Sequence, residues 1–266
     1  MFKISEIATI TGGERIRKTT GNAEITDILV DSRRYITADK CVFIALKGRN
    51  NNGHDYIHEL YEKGIRSFVI SDTIADIDAY SGADFIHVKD TLKALQALSK
   101  AHREKFDIPV IGITGSNGKT IIKEWLFQIL QHEHKVVRSP KSYNSQVGVP
   151  LSVWQMEKSY EYAIFEAGIS QPDEMDKLQQ IIKPKIGIFA NIGEAHNEKF
   201  ISQNQKIGEK LKLFTKVDAL VYCADHTAIQ EVLFRSQILE TIKAFTWSRK
   251  EEADLKITSV QKTHLE

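Results

Sequence analysis

Ile111-Gly-Ile-Thr-Gly-Ser-Asn-Gly-Lys-Thr120 is the stretch that decides the fold class. The apolar run Val110–Ile113 reads as a buried strand, and Ile121–Leu130 has the periodicity of an amphipathic helix. A glycine-rich turn between strand and helix is the setting in which backbone N–H groups converge on phosphate oxygens. Gly115 and Gly118 permit the tight turn, with Ser116 and Asn117 between them. The helix N-terminus adds the positive end of its dipole. Lys119 can reach terminal phosphates, and the Thr120 hydroxyl can ligate Mg2+. The strict phosphate-loop pattern places a glycine where Ile113 stands. On pattern alone, a plain strand-to-helix turn with a surface lysine stays open.

Downstream, apolar runs at Ala163–Phe165, Ile186–Ile192, Leu220–Cys223 and Ala244–Trp247 alternate with helical segments such as Lys206–Phe214. Buried strands alternating with helices imply a mainly parallel sheet covered on both faces, with ligands at the carboxyl ends of its strands. Upstream, strands are expected at Ile25–Val30, Val42–Leu46, Ser67–Ile70 and Phe85–Val88. A helix is expected over His54–Lys63, stopped by Gly64. Leu92, Leu95 and Leu98 share one face of a further helix. The expected class is therefore α/β: a small N-terminal α/β domain at 1–90, a linker helix at 91–108, and a P-loop ATPase-like, mainly parallel sheet domain at 109–266.

Composition narrows the function classes. The 266 residues carry a formal net charge of +1 with acids and bases interspersed, and no basic stripe invites nucleic acid. A hydrophobic fraction of 42% is enough for real cores. No run suits a bilayer span, and Met1–Ile10 is not a signal peptide, so no membrane insertion is expected. Cys41 and Cys223, each inside an apolar run, suit buried thiols of a reducing, cytoplasmic compartment.

Four further segments attract attention. Glu166 ends the run Tyr162–Gly168, at a strand end where a carboxylate either holds Mg2+ or is merely solvated or a helix cap. His196 closes Ala190-Asn-Ile-Gly-Glu-Ala-His196, just past another strand. Lys206-Ile-Gly-Glu-Lys-Leu-Lys-Leu-Phe214 offers three lysines on a helix. Ser142-Tyr-Asn-Ser-Gln-Val-Gly-Val-Pro150 reads on its own as an Asn/Ser/Gly loop before a helix. In the first domain, Ser32, Arg33 and Lys47, with a flexible Asn50–Gly53 loop, offer donors for a diphosphate or carboxylate, or are ordinary strand-end charges.

The Thr114–Thr120 segment resembles the ATP loop of the Mur ligases and the related folylpolyglutamate synthetases, in which the early glycine is commonly absent. The segments at 30–33, 43–55, 142–150 and 190–196 resemble Mur ligases in the same order along the chain, most closely those that add D-alanyl-D-alanine. The resemblance implies ATP-dependent ligation of D-alanyl-D-alanine to UDP-N-acetylmuramoyl-tripeptide in peptidoglycan synthesis, with one or two Mg2+ ions. It implies metal ligation by Thr120, Glu166 and His196. It places Asn144 near the phosphates and peptide, and the UDP end of the substrate on residues 1–90. It also implies a lysine that reacts with CO2 to give an anionic carbamate ligand. An ungapped register from His196 and Phe214 puts that lysine at Lys210, with Lys206 and Lys212 as rivals. Lys119, Asn144, His196 and Lys210 are thus the catalytic set. The family normally has three domains, so this chain is expected to be a fragment that cannot ligate alone. A folylpolyglutamate-type ligase, another Mur ligase and a non-catalytic nucleotide-binding module are the alternatives.

Overall fold

The computed structural model describes residues 1–17, 19, 21–33, 40–48, 50–193 and 199–261. They form two compact units, Met1–His102 and Arg103–Glu266. The division falls within the 91–108 segment expected as a linker, at the end of a helix that starts at Thr91.

The first unit contains β1 (Phe2–Lys3), α1 (Ile4–Thr11), β2 (Glu14–Arg17), β3 (Glu24–Ile25), β4 (Asp27–Leu29), β5 (Cys41–Ile44), α2 (Ile57–Glu62), β6 (Ser67–Ile70) and β7 (Asp84–His87). Its last helix is α3 (Thr91–Arg103). The main sheet runs β2-β7-β6-β5-β4, parallel except for β2. Strands β5 and β6 are buried throughout, as a parallel sheet packed on both faces requires. The Phe68 and Phe85 rings stack at 4.9 Å in its core. The helix expected over His54–Lys63 is divided into a tighter turn at Gly53–Tyr56 and then α2.

The second unit contains β8 (Val110–Thr114), α4 (Lys119–Leu130), β9 (Val136–Arg138), α5 (Gly148–Val153), β10 (Tyr162–Glu166), α6 (Met175–Ile182), β11 (Ile186–Phe189), α7 (Gln203–Leu211), β12 (Ala219–Cys223), α8 (Thr227–Ser236), β13 (Lys243–Ser248) and β14 (Leu255–Lys256). These strands form one parallel sheet in the order β14-β13-β12-β11-β8-β10-β9. The chain enters at β8 and builds β9 and β10 on one side. It then crosses back to place β11 on the other. The carboxyl end of β8 is therefore the point where strand order reverses, and such points open a ligand crevice.

The expected strand over Ile186–Ile192 stops at Phe189, because the next residues turn to meet the loop after β8. Packing there is close. A Cβ on Gly187 would sit 2.4 Å from a ring carbon of Phe214. Short β9 and β14 carry too little alternation to be expected from sequence. Helix α4 also departs from an ordinary amphipathic pattern. Ile121, Trp125 and Ile129 are exposed, whereas Lys123 is fully buried. Cys41 and Cys223 are free and buried, and burial pushes the Cys41 thiol up to about 12. Among the described residues no helix is long and apolar enough to cross a membrane.

Candidate functional site

Register brings the first two pieces together. Glu166 pairs with Ile113 across β10 and β8, and Phe189 pairs with Thr114 across β11 and β8. The carboxylate of Glu166 therefore reaches the loop that follows Thr114. Thr114 Oγ1 donates to the Ala167 carbonyl at 2.7 Å, which holds the two strand exits side by side.

Gly115 adopts φ 148° and Gly118 φ 83°, both in the region that favours glycine. A Cβ at Gly115 would lie 3.0 Å from Ala190 Cβ and from the backbone of Asn191. Asn191 stitches the loop from the far side. Its carbonyl accepts from the Ser116 amide at 2.9 Å, and its Oδ1 accepts from the Asn117 amide at 3.1 Å. Ser116 Oγ donates to the Gly193 carbonyl at 3.2 Å. The amides that open α4 have no carbonyl one turn earlier to bond, which is the usual source of an anion cradle.

Lys119 folds back, donating to the carbonyls of Gly115 at 2.8 Å and Ser116 at 3.2 Å. Burial lowers its pKa, Glu166 partly offsets that, and Lys206 adds to the lowering. Lys210 donates to the same Gly115 carbonyl at 3.2 Å. Its pKa falls to about 7, first through burial and then through the ammonium groups of Lys119 and Lys206. Lys206, also buried, donates to the Gly193 carbonyl at 2.6 Å. Lys212 is different. It is partly exposed and paired with Glu209 at 2.8 Å and Asp176 at 3.0 Å, contacts that raise its pKa.

Glu166 is fully buried, so the solvated reading of this acid does not fit. Its Oε2 accepts from Thr120 Oγ1 at 3.1 Å and from Asn144 Nδ2 at 3.4 Å. Asn144 is fixed in turn, since its carbonyl accepts from the Gly168 amide at 2.8 Å. Glu166 Oε1 accepts no hydrogen bond among the described residues, although Lys123 Nζ lies 3.1 Å away as an ionic contact. A hydroxyl and a buried carboxylate converging beside this glycine-shaped loop form the kind of oxygen donor set that suits Mg2+. Among the described residues no three His, Cys, Asp or Glu side chains cluster to hold a metal by themselves. His196 lies outside the described residues. A cleft of about 420 Å³ opens here, lined by Gly115, Lys119, Asn144, Ser170, Glu174 and Lys210 among others.

Three participants are not marked by the sequence reading. Asn191 opens a segment notable in sequence for its histidine instead. Ser139 accepts from the Glu166 amide through its hydroxyl at 3.2 Å, with no motif to mark it. Lys123 sits one turn beyond Lys119 on the same helix face. Its spacing from Lys119 and Thr120 was the available signal.

In the first unit, Asp31, Ser32 and Arg33 line a separate cleft of about 320 Å³ with Gly48, Asn51 and Tyr56. Arg33 is 87% exposed and grips its neighbour Asp31 through Nε at 2.8 Å and a terminal nitrogen at 2.7 Å. Lys47 is engaged by Asp72. The Asn50–Gly53 loop is closed by Gly48 N–H to Asn51 O at 2.8 Å and Gly53 N–H to Leu46 O at 2.8 Å. His54 locks its base. Its Nε2 accepts from the Ser71 and Asp72 amides at 2.9 and 3.1 Å, and its Nδ1 meets Asn52 Oδ1 at 2.7 Å.

Residues 113–266 match the Mur ligase middle domain, and residues 24–103 match the Mur ligase family catalytic domain. The chain is 32% identical over 223 residues to the UDP-N-acetylmuramoyl-tripeptide–D-alanyl-D-alanine ligase of Treponema pallidum, covering 81% of this chain and 48% of that protein. It is 30% identical to the enzyme of the same name from Bacillus subtilis, covering 85% and 50%. It thus spans about half the length of these relatives. A crystal structure of MurF from Acinetobacter baumannii shares the fold, with a TM-score of 0.85, 23% identity, and coverage of 98% of this chain and 55% of that one.

Proposed function

This chain belongs to the Mur ligase family, and from that premise we propose that it supplies the ATP and UDP-substrate sites of a ligase joining D-alanyl-D-alanine to UDP-N-acetylmuramoyl-tripeptide. The observation that carries this reading is the meeting of Thr120 and Glu166 beside a glycine-shaped loop, with Lys119 folded against it. The names of the relatives supply the substrates.

In this reaction the tripeptide's terminal carboxylate takes the γ-phosphoryl group of ATP, releasing ADP. The amine of D-alanyl-D-alanine then attacks the acyl phosphate, loses a proton and expels phosphate, leaving an amide. Lys119 exchanges its bonds to the Gly115 and Ser116 carbonyls for the nucleotide's phosphates. There it offsets charge that develops on the transferred group. Asn144, fixed to the Gly168 amide, orients a polar hydrogen beside the same point. Thr120, Glu166 and His196 would hold Mg2+, which supplies further charge neutralisation at the phosphates.

Lys210 is our assignment for the carbamate. CO2 adds to a neutral amine, giving N–COO− and releasing a proton. A pKa near 7 keeps a large share of Lys210 neutral at ordinary pH. Lys212, held charged by its carboxylates, is a poor candidate, whereas Lys206, which like Lys210 is buried and donates to a backbone carbonyl, stays the rival. In the first unit, Ser32 and Arg33 line the cleft we assign to the UDP end. Lys47 joins them by exchanging Asp72 for a substrate anion.

Calorimetry of the 266-residue chain tests the substrate class. Mg·ADP and UDP-N-acetylmuramoyl-tripeptide are expected to bind, and a folate is not. Retention of the folate in place of the UDP-sugar peptide overturns the specificity. In a protein spanning the full length of these relatives, ATP turnover indifferent to the peptide substrates overturns the ligase reading in favour of a nucleotide-binding module.

A further inference from the structure

Lys123 is a buried cation that the chemistry above does not use. Positions three and four apart are neighbours on a helix, so Lys123 shares a face of α4 with Lys119 and Thr120. Its side chain is 0% exposed, as is that of Glu166. An ammonium has three hydrogens to place. Lys123 donates to the Ser139 carbonyl at 2.8 Å and to the Lys141 carbonyl. Its remaining contacts are carboxylates, Glu166 Oε1 at 3.1 Å and Glu124 Oε1 at 3.0 Å. Glu124 is partly exposed and shared with Arg138 at 3.0 Å. The two carbonyl bonds hold the ammonium beside Oε1 of Glu166.

The two oxygens of Glu166 therefore have different neighbours. Oε1 faces Lys123, while Oε2 faces Thr120 and Asn144. A dication approaching Oε2 meets a carboxylate whose single negative charge is already matched. The ammonium of Lys119 acts on the same carboxylate. Such a site offers a bare cation little net attraction. The phosphates of a nucleotide would bring the missing negative charge. Mg2+ gives up its waters reluctantly and usually binds through few carboxylates plus substrate phosphates.

We propose that Lys123 is a built-in counter-cation for Glu166 that makes metal binding there conditional on the nucleotide's phosphates. This rests on the reading of Thr120 and Glu166 as the metal site. Lys123 is then a positioning residue: it touches neither nucleotide nor metal, and it holds back Oε1 while leaving Oε2 for ligation. Metal enters with the nucleotide rather than before it.

Mn2+ without nucleotide is the probe, with free Mn2+ followed by electron paramagnetic resonance and stability by thermal unfolding. The native chain is expected to bind Mn2+ at least about tenfold more weakly alone than with ADP present. Lys123→Met and Lys123→Gln, the latter keeping donors for the two carbonyls, are expected to gain a nucleotide-free Mn2+ site at least about tenfold tighter than native. Addition of Glu166→Gln should abolish that gain, and Lys123→Arg should behave as native. Folded Lys123 variants without the gain overturn the proposal. So does a native chain that binds Mn2+ through Glu166 equally well with and without ADP, a comparison that needs no Lys123 variant to fold. Mn·ADP binding that disappears in Lys119→Ala reads the phosphate site separately. Its absence from the native chain counts against the proposed function. Its presence with unchanged metal-only affinity in the Lys123 variants counts against Lys123 alone.

Discussion

The two clefts hold their charged groups in opposite ways. At the end of β8 the backbone does the shaping: positive φ at Gly115 and Gly118, and amides stitched by Asn191, set the loop before any ligand arrives. Lys206 and Lys210 are buried and Lys119 is half-buried, and burial lowers the pKa of Lys119 and Lys210. In the first unit the cationic groups satisfy themselves locally. Arg33 clasps Asp31 on the surface, and Lys47 clasps Asp72. The difference teaches that a site built from backbone is pre-organised, whereas a site built from exposed side chains must trade an internal partner for a ligand. The first gains from fixed geometry, and the second gives up part of each new contact.

The largest effect is expected where the site is pre-organised. In a protein spanning the full length of these relatives, where the lysine variants below are also read, Lys119→Ala should lower the turnover of ATP-driven ligation by about 10²-fold or more, as loss of a transition-state charge partner does. Near-native turnover in a steady-state ADP assay would break the contrast at its stronger end. The lysine assignment sharpens it. Lys210→Ala should also lose turnover, and added short carboxylic acids should restore part of it, while Lys212→Ala should need no rescue. Rescue of Lys206→Ala with none for Lys210→Ala moves the carbamate one turn along α7.

Arg33→Ala probes the self-satisfied cleft. A charge-assisted contact is worth about 1.5–3 kcal/mol, and release of Asp31 should pull the observed loss toward or below the lower figure. Calorimetry with UDP-N-acetylmuramoyl-tripeptide measures it. A loss well above that range means that Arg33 gives up little when it leaves Asp31, and the contrast between the clefts narrows.

The smallest effect is on stability. His54 accepts two amide hydrogens at Nε2, so only its neutral ring fits, and burial lowers its pKa below the ordinary 6.5. A histidine depressed in the folded state binds fewer protons there than in the unfolded chain. Its stabilisation is complete above about pH 6.5 and is lost as pH falls through the lower folded value. Denaturant unfolding at pH 7.5 and 5.5 should show that drop, and His54→Gln should flatten it. An unchanged slope in His54→Gln assigns the pH dependence elsewhere.

Much of this site was legible because strand ends and helix starts are local. The run Val110–Thr120 contains its own strand, turn and helix start, and the apolar runs at 163–165 and 220–223 are long enough to mark buried parallel strands. The donors that complete the site were not legible. Ser139 sits past the unexpected strand β9, and Lys123 looks like any surface lysine on a helix with a weak apolar face. The exposed Ile121, Trp125 and Ile129 point a periodicity reading to the wrong side of α4.

By itself, then, the sequence determined the class of the fold, the strand–turn–helix at Val110–Leu130 and the order of motifs, since each depends on residues within a few positions of one another. Which lysine is buried, which carboxylate oxygen faces which cation, and whether the Asn50–Gly53 loop is closed were decided only in three dimensions. Those outcomes depend on partners many residues away, such as Lys210 with Gly115 and Glu166 with Thr120. Burial sets the cost of a charge, and strand order decides what is buried beside it.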